Sequence, residues 1–386
     1  MNATTNHIWL FSKKIDLTWL FIPVWLTWLF CFGVPENVLQ QPIPLWFWAI
    51  FILGIDVTHV WSTIFRTYLD QEEFKQHKDL LIAVPFACFV GLFAIASFSE
   101  QFFWRVMAYI ALHHFIKQQY GFLALYRARY GQKPRKKILS DSRAIYIGML
   151  WPVIFWHLNQ GRNFNWFVNG DFLEFGSMLE SIGLTTQNIV VFNWVGNTLY
   201  FLVISIWLSN EISYCIKNGT RFPTGKVLWI ITTAFNWFLG VIWFNSDFAF
   251  SLTNVVAHGV PYMVLIFFYV EKKKQLKKPR TVAIRLFPVI QMLLMIGVLA
   301  FGEEYFWDMF LNREKEVFFQ AIFGYPFTVF ENNYARGLAL GLLSVPQVAH
   351  YFIDGFIWKK SKRNPYVSQV LSIGKPIITA KDTANS

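Results

Sequence analysis

The chain has 386 residues, of which 55% are hydrophobic, 19% aromatic and only 15% charged, and its formal net charge is +11. A soluble protein carries about a quarter charged residues and cannot bury this much apolar surface, so the composition excludes a soluble enzyme, a disordered chain and a coiled coil. The basic residues form short clusters between apolar runs, which is typical of cytoplasmic loops and not of a nucleic-acid groove. We therefore expect an all-α polytopic membrane protein that has the lipid bilayer, and no nucleic acid, as a partner.

Apolar segments of roughly 20 residues, enough to cross the hydrocarbon core, recur along the chain. Ten spans are predicted, at 17–34, 43–64, 80–99, 102–126, 144–160, 189–216, 226–245, 248–270, 282–302 and 335–358. Basic clusters follow every even-numbered span from the fourth onward, at 127–137, 217–226, 272–280 and 359–363.

Two long loops, 161–188 and 303–334, fall on the opposite side and are acidic and aromatic. The positive-inside rule then predicts that both termini are cytoplasmic, and we expect the inner membrane of a bacterium. Residues 1–364 would form a single transmembrane domain, and 365–386 a cytoplasmic C-terminal tail. The three cysteines stand at unrelated spacings and indicate neither a disulfide framework nor a CxxC metal motif.

Histidines are concentrated inside the predicted spans. Six of the eight lie there, namely His59, His113, His114, His157, His258 and His350. Ionisable residues in a bilayer are costly and mark functional sites more often than not. From the rise of a helix, all but His157 lie about 9–18 Å from the cytoplasmic ends of spans two, four, eight and ten. These histidines are predicted to converge in one layer, whereas His157 lies near the outer end of span five and is excluded.

Other ionisable residues accompany two of these histidines on the same helix face. Asp56 precedes His59 by three residues and Asp354 follows His350 by four, so each carboxylate is a candidate ligand or a partner for an imidazole N–H. Lys117 is a weaker candidate, because a lysine near the inner face also snorkels to the interface. His113 and His114 diverge by about 100° around the helix, so one of them is expected to face the site.

Two further polar residues are assigned no role in the site. Arg66 is interpreted as an interface anchor at the end of span two, and His77 as a solvated residue of a cytoplasmic loop.

Several neutral imidazoles bind iron, copper or zinc without adding negative charge to the membrane. Fe(II) is the first expectation, with an open coordination position for dioxygen beside a lipophilic substrate. Copper and zinc remain alternatives, as does haem b held by two histidines such as His113 and His258.

Three short segments resemble the Brp/Blh-type membrane carotene dioxygenases. They are HHF at 113–115, AHGVPY at 257–262 and VPQVAHYFIDGF at 345–356, while IDVTHVW at 55–61 stands where that family has a Pro-His-Gly segment. The resemblance implies a His-ligated iron oxygenase acting on an isoprenoid-like substrate. It also implies that His59, His113 or His114, His258 and His350 are the ligands.

Two other functional classes stay open. A membrane-bound O-acyltransferase would use His258 as general base with Asn236, Asn245 or Asn254 upstream, although this leaves the other histidines unexplained. A proton or metal-ion transporter would use Asp56, His59, Lys117, His350 and Asp354 as its relay.

Overall fold

The computed structural model describes residues 7–131, 134–159, 161–277, 286–359, 361 and 364–372. Every regular element among these residues is helical, which confirms the predicted all-α class. Parts of the basic clusters (residues 133, 278–280, 360 and 362–363) and the tail after residue 372 lie outside the described residues.

Eleven helices of more than ten residues dominate the described part of the chain. They are α1 Lys13–Gly33, α2 Leu45–Arg66, α3 Gln71–Phe98, α4 Glu100–Tyr130, α5 Arg135–Leu158, α6 Thr186–Asn218, α7 Thr224–Trp243, α8 Asp247–Lys277, α9 Leu286–Trp307, α10 Asn333–Leu343 and α11 Val345–Ile357. Shorter helices occupy Glu36–Leu39, Gly176–Ser181, Glu316–Gln320 and Pro365–Val370.

Eight of these helices, α1 to α3 and α5 to α9, are long and apolar enough to cross a membrane. The other two predicted spans correspond to α4 and to α10 with α11. Helix α4 has 31 residues but carries polar side chains such as Lys117, Gln118 and Gln119. Helices α10 and α11 are separated at Ser344, and Pro346 is accommodated in the first turn of α11 because a proline needs no N–H partner there.

Helices α7 and α8 form the centre of the bundle. In the most apolar 18-residue stretch of each helix, 78% of residues are buried in α7 and 72% in α8. The corresponding fractions are 17% in α3 and 11% in each of α6 and α9. Helices at the periphery thus keep their apolar side chains outside the protein, as lipid-facing helices do, while α7 and α8 are enclosed on all sides.

Helix α10 packs against α3 through two glycines spaced four residues apart. A Cβ atom at Gly337 would lie 2.7 Å from Ser97 Oγ, and one at Gly341 would lie 2.9 Å from the Phe93 Cα. The GxxxG spacing therefore permits a backbone approach that no larger residue allows.

Helix α2 widens into π-type turns over Trp48–Val57 and returns to α geometry at Thr58. Widened turns of this kind are rare and occur frequently at functional sites, because they rotate the following side chains relative to a regular helix. Asp56 is the last residue but one of the widened segment, and His59 lies two residues beyond its end. The segment thus sets the direction in which both side chains point.

The structure corrects the interpretation of two polar residues. Arg66 is fully buried, pairs with Glu73 at 3.3 Å and lies 3.7 Å from the ring centroid of Tyr269, so it is no interface anchor. His77 is buried inside α3, and its Nε2 lies 2.9 Å from Asn364 Oδ1. In both cases segments distant in sequence cover the side chain.

Candidate metal centre

Four histidines from four helices meet in the interior of the bundle. His59 of α2, His114 of α4, His258 of α8 and His350 of α11 each present one ring nitrogen within 4.8 Å of those of the other three. All four side chains are buried, with at most 4% of any residue exposed. The predicted convergence of spans two, four, eight and ten is therefore present in the structure.

The four imidazole rings form a closed circuit. Neighbouring ring centroids lie 4.7 Å (His59–His258), 5.0 Å (His258–His114), 4.8 Å (His114–His350) and 5.1 Å (His350–His59) apart. With metal–nitrogen bonds of about 2.1 Å, centroids of two imidazoles on one ion are about 4.6 Å apart at a right angle and about 5.3 Å at a tetrahedral angle. The observed distances fall between these values.

The hydrogen bonding of the ring nitrogens also fits a metal. Nε2 of His59 and Nε2 of His258 face each other at 3.1 Å, a separation that suits two ligands of one ion. Nε2 of His114 and Nε2 of His350 are buried and have no hydrogen-bond partner among the described residues. Orphaned buried nitrogens are costly, and a shared metal ion would satisfy all of them at once.

His350 is held by groups on its outer side. Thr63 Oγ1 lies 2.7 Å from His350 Nδ1 and 2.9 Å from the Tyr262 hydroxyl, which donates to Asp354 Oδ1 at 2.5 Å. Asp354 Oδ1 itself is 3.7 Å from His350 Nδ1. When Nδ1–H donates to Thr63, the Nε2 lone pair is left free for a metal.

His59 has a single carboxylate neighbour. Its Nδ1 lies 3.5 Å from Asp56 Oδ1, beyond a regular hydrogen bond but close enough for direct attraction. Asp56 and Asp354 therefore lie beside the ring nitrogens that point away from the centre of the four-histidine circuit. They are placed to orient the histidine ligands. This corresponds to the second role predicted for them from the sequence, a partner for an imidazole N–H.

His258 sits where α8 loses regular backbone hydrogen bonds. Pro261 has no N–H to offer the carbonyl of Ala257, and Gln119 Nε2 donates to that carbonyl at 3.1 Å instead. Gln118 Nε2 donates to the His258 carbonyl at 2.8 Å. Two adjacent amides of α4 thus fix the backbone of α8 at the site.

Close packing also fixes the position of His258. Its ring stacks on Phe115, with centroids 3.7 Å apart and planes within 7°. Gly259 lets α2 approach, since a Cβ atom there would lie 2.7 Å from the Ile55 side chain. The ring therefore has little freedom to leave the circuit.

The structure separates the adjacent pair on α4. His114 joins the circuit and stacks on Tyr351 with centroids 4.3 Å apart, whereas His113 is exposed on the outer face of the helix. Lys117 is exposed as well, and its Nζ lies 5.5 Å from the Tyr120 ring centroid. Neither side chain belongs to the group around the centre.

His157 lies apart from the circuit and has partners of its own. Its Nε2 is 2.8 Å from the Tyr109 hydroxyl and its Nδ1 is 2.7 Å from the Val153 carbonyl oxygen. Both ring nitrogens are therefore satisfied by the protein, whereas each of the four central histidines has one ring nitrogen without a partner among the described residues.

An apolar cavity of about 490 Å³ reaches the centre from the end of the bundle where α4 terminates. Its wall includes His114, Tyr262 and Asp354 at the inner end and Ala128 at the far end. The fourteen residues from His114 to Ala128 correspond to about 21 Å along α4, so the cavity is long and narrow. Lys117 and Lys359 also line it.

A second cavity, of about 520 Å³, approaches the centre from the opposite end. Its wall includes Phe115, which stacks on His258, and Asp56, which faces His59. We call it the acidic cavity, because the carboxylates of Asp56, Asp247, Glu303, Glu304, Asp308 and Glu314 line it.

The three asparagines of the acyltransferase hypothesis have other partners. Asn236 Oδ1 accepts from Trp28 Nε1 at 2.9 Å, Asn254 Nδ2 donates to the Phe250 carbonyl, and Asn245 Oδ1 accepts from the Asn163 N–H. None of them is bonded to His258 in the described part of the chain.

Sequence reasoning missed the residues that support the ligands from other helices. Thr63, Gln118 and Gln119 lie on one helix and act on another, which no local spacing reveals. For Tyr262 the sequence offers one weak indication of a role in the site, because this residue follows the helix-interior Pro261 within the AHGVPY segment. Comparison with known proteins finds no matching family model, no matching curated protein and no matching solved structure.

Proposed function

We propose that the four-histidine circuit holds one metal ion, most simply Fe(II), and that the protein is a membrane oxygenase acting on a lipophilic substrate. The observation that carries the proposal is the convergence of four buried imidazoles, each of which has one ring nitrogen without a hydrogen-bond partner among the described residues. An Fe(II) ion at this position would supply dioxygen activation. An all-imidazole set suits iron, copper or zinc, and the resemblance to the Brp/Blh-type dioxygenases favours iron.

The apolar cavity supports a lipophilic substrate. It is long and narrow and ends at His114, so a linear isoprenoid or acyl chain would lie with one segment beside the centre and the remainder along α4. Tyr262 and Asp354 line the inner end, and their hydrogen bond would hold a proton near the reacting segment.

For the topology, we propose that α4 and the α10–α11 pair are embedded together with the eight apolar helices. This gives ten spans and cytoplasmic termini, in the inner membrane of a bacterium. The apolar cavity would then begin at the cytoplasmic half of the bilayer. Gln118 and Gln119 of α4 face Ala257, His258 and Thr233 and not lipid, which supports this arrangement.

The experiment is an anaerobic reconstitution of the full chain with Fe(II) in nanodiscs. Metal content and oxygen consumption are measured with a panel of carotenoids, isoprenoid lipids and fatty acids. We expect near-stoichiometric iron and substrate-dependent oxygen uptake, both lost in His258→Ala. His157→Gln is the matched control, because His157 is buried and bonded but lies outside the circuit. Wild-type protein that binds no transition metal would refute the proposal.

One observation favours a second candidate, metal-ion transport. The apolar cavity reaches His114 from one end of the bundle, and the acidic cavity approaches the centre at Asp56 and Phe115 from the other, as alternating access to a central ion site requires. Vesicle flux measurements separate the two candidates, because an oxygenase retains its ion while a transporter turns it over.

A further inference from the structure

The wall of the acidic cavity holds six carboxyl groups and one basic side chain among the described residues. Lys315 is the one lysine or arginine in its described wall, and its Nζ is 3.5 Å from Glu314 Oε2. No described lysine or arginine is ion-paired with Asp56, Asp247, Glu303 or Glu304 within 4.0 Å. Carboxylates enclosed without counter-cations repel one another and attract mobile cations.

The cavity wall is joined to the metal centre. His59 is only 2% exposed, and its Nδ1, which has no hydrogen-bond partner among the described residues, is directed at Asp56 Oδ1 in the wall at 3.5 Å. On the other side of the same cavity, Glu303 Oε2 accepts a 2.6 Å hydrogen bond from Trp61, two residues after His59. Asp56 thus lies both in the wall of the cavity and beside a histidine of the centre.

The cavity is not a second preformed metal cage. Among the described residues, the one group of three or more metal-ligating side chains that converges within 4.8 Å is the four histidines. The carboxylates are spread along a path, which suits transient binding of a hydrated cation better than permanent coordination. Mg²⁺ and other divalent ions bind such carboxylates through their waters.

From this arrangement we propose that the acidic cavity is the route by which a divalent transition-metal ion reaches the four-histidine centre. The ion is captured as a hydrated cation by Glu303, Glu304 and Asp247, passes Asp56 and exchanges its waters for imidazoles. Loading would occur from the end of the bundle opposite the apolar cavity, so metal and lipophilic substrate would arrive by separate paths. This inference rests on the proposed metal centre.

The test is the loading rate of metal-free, full-length protein with Co²⁺, whose visible absorption changes on imidazole coordination. Glu303→Gln with Glu304→Gln is the main variant, followed by stopped-flow absorption at low ionic strength. We expect loading about tenfold slower than wild type with the same final Co²⁺ stoichiometry, because electrostatic steering raises association rates 10-fold or more. Added salt is expected to slow the wild type and to narrow the difference.

Glu36→Gln with Glu331→Gln is the matched control. Both residues are exposed and do not line the cavity. Their substitution removes two carboxylates, as the main variant does. This control is expected to load at nearly the wild-type rate. Equal slowing in both double variants would overturn the proposal, since a general surface field would then explain the rate. Unchanged loading in the variant with Glu303→Gln and Glu304→Gln would also overturn the proposal.

Further variants and a further measurement distinguish a failure of the loading route from a failure of the metal centre. If the double variant fails to fold, Asp247→Asn and Glu304→Gln, each alone, preserve the Trp61–Glu303 hydrogen bond and are expected to slow loading several-fold. Wild-type protein that never takes up Co²⁺ would instead refute the metal centre itself. Steady accumulation of Co²⁺ inside reconstituted vesicles would overturn the loading route in favour of transport.

Discussion

Two of the buried polar clusters in the described part of this bundle differ in how their polar groups are satisfied. At the interface of α5, α6 and α7, Lys226 Nζ lies 3.0 Å from Asp141 Oδ2 and 3.1 Å from Glu211 Oε1, and Lys137 pairs with the other Glu211 oxygen. Trp207 donates to Asp141 Oδ1 at 3.0 Å. In the four-histidine circuit, by contrast, each imidazole has one ring nitrogen without a hydrogen-bond partner among the described residues.

This difference in how the buried polar groups are satisfied distinguishes a structural cluster from a functional one. A buried ion pair whose charges are matched is complete within the protein, so it serves to hold helices together. Four imidazoles packed around one point destabilise the ligand-free protein when some of their ring nitrogens have no hydrogen-bond partner. Such an arrangement is expected where a bound ligand supplies the missing partner. Removing a member should therefore have opposite consequences in the two clusters.

The largest effect is expected at the circuit. Replacing His350 with Leu removes one ligand and should reduce bound transition metal from near-stoichiometric to near zero, as determined by elemental analysis of purified protein. The same change should leave the free energy of unfolding of the metal-free protein within about 1 kcal/mol of wild type, because an unsatisfied buried nitrogen is removed with it. Metal retained in His350→Leu would contradict the shared centre.

The opposite pattern is expected for Lys226→Met. Loss of the ammonium group leaves Asp141 and Glu211 buried without their shared cation, which should lower the free energy of unfolding by about 3–5 kcal/mol. Metal bound per folded chain should stay unchanged. Denaturant unfolding in a mild detergent measures the first quantity and elemental analysis of the folded fraction the second. A stable Lys226→Met protein would show that the ion pairs contribute little.

A smaller effect is expected at the hydroxyl that orients His350. Thr63→Val keeps the side-chain shape but removes the group 2.7 Å from Nδ1, and loss of such an orienting partner typically weakens metal binding about 10- to 100-fold. Competition with a chelator measures the affinity. Thr63→Ser retains a hydroxyl and should bind nearly as well as wild type, so equal weakening in both variants would argue against the orienting role.

The smallest effect is expected outside the membrane, at Asp70. Its side chain accepts from the N–H groups of Glu72 and Glu73 at the start of α3 and pairs with Lys273 at 2.8 Å. Partial burial raises the pKa of Asp70, but the Lys273 hydrogen bond and the backbone N–H groups lower it more, so its pKa lies below the ordinary value.

A lowered pKa makes the Asp70 contribution dependent on pH in a defined direction. The stabilisation is fully present above the unfolded pKa of about 3.9 and is lost as pH falls through the folded value. Asp70→Asn keeps an N-cap acceptor but loses the charge paired with Lys273, so it should lower the melting temperature by about 1–2 °C at pH 7, consistent with up to about 1 kcal/mol for a partly exposed ion pair. The difference from wild type should shrink at pH 3; a constant difference would exclude the carboxylate as its source.

The sequence predicted the helical class and the layer in which His59, His258 and His350 meet, because depth along a helix follows from residue count. It did not distinguish His113 from His114, since that choice depends on the rotation of α4 about its axis. Rotation is set by the bonds of Gln118 and Gln119 to α8, which are contacts between helices. Position alone likewise misassigned Arg66, which Tyr269 and Trp358 enclose.

X-ray absorption spectroscopy of the iron-loaded protein tests the central claim most directly. Four imidazole ligands should give nitrogen scatterers at about 2.1 Å together with the outer-shell multiple scattering of histidine rings. His350→Leu should lose the metal or show one imidazole fewer. A spectrum dominated by oxygen ligands without imidazole scattering would contradict the assignment of the four buried histidines as one metal centre.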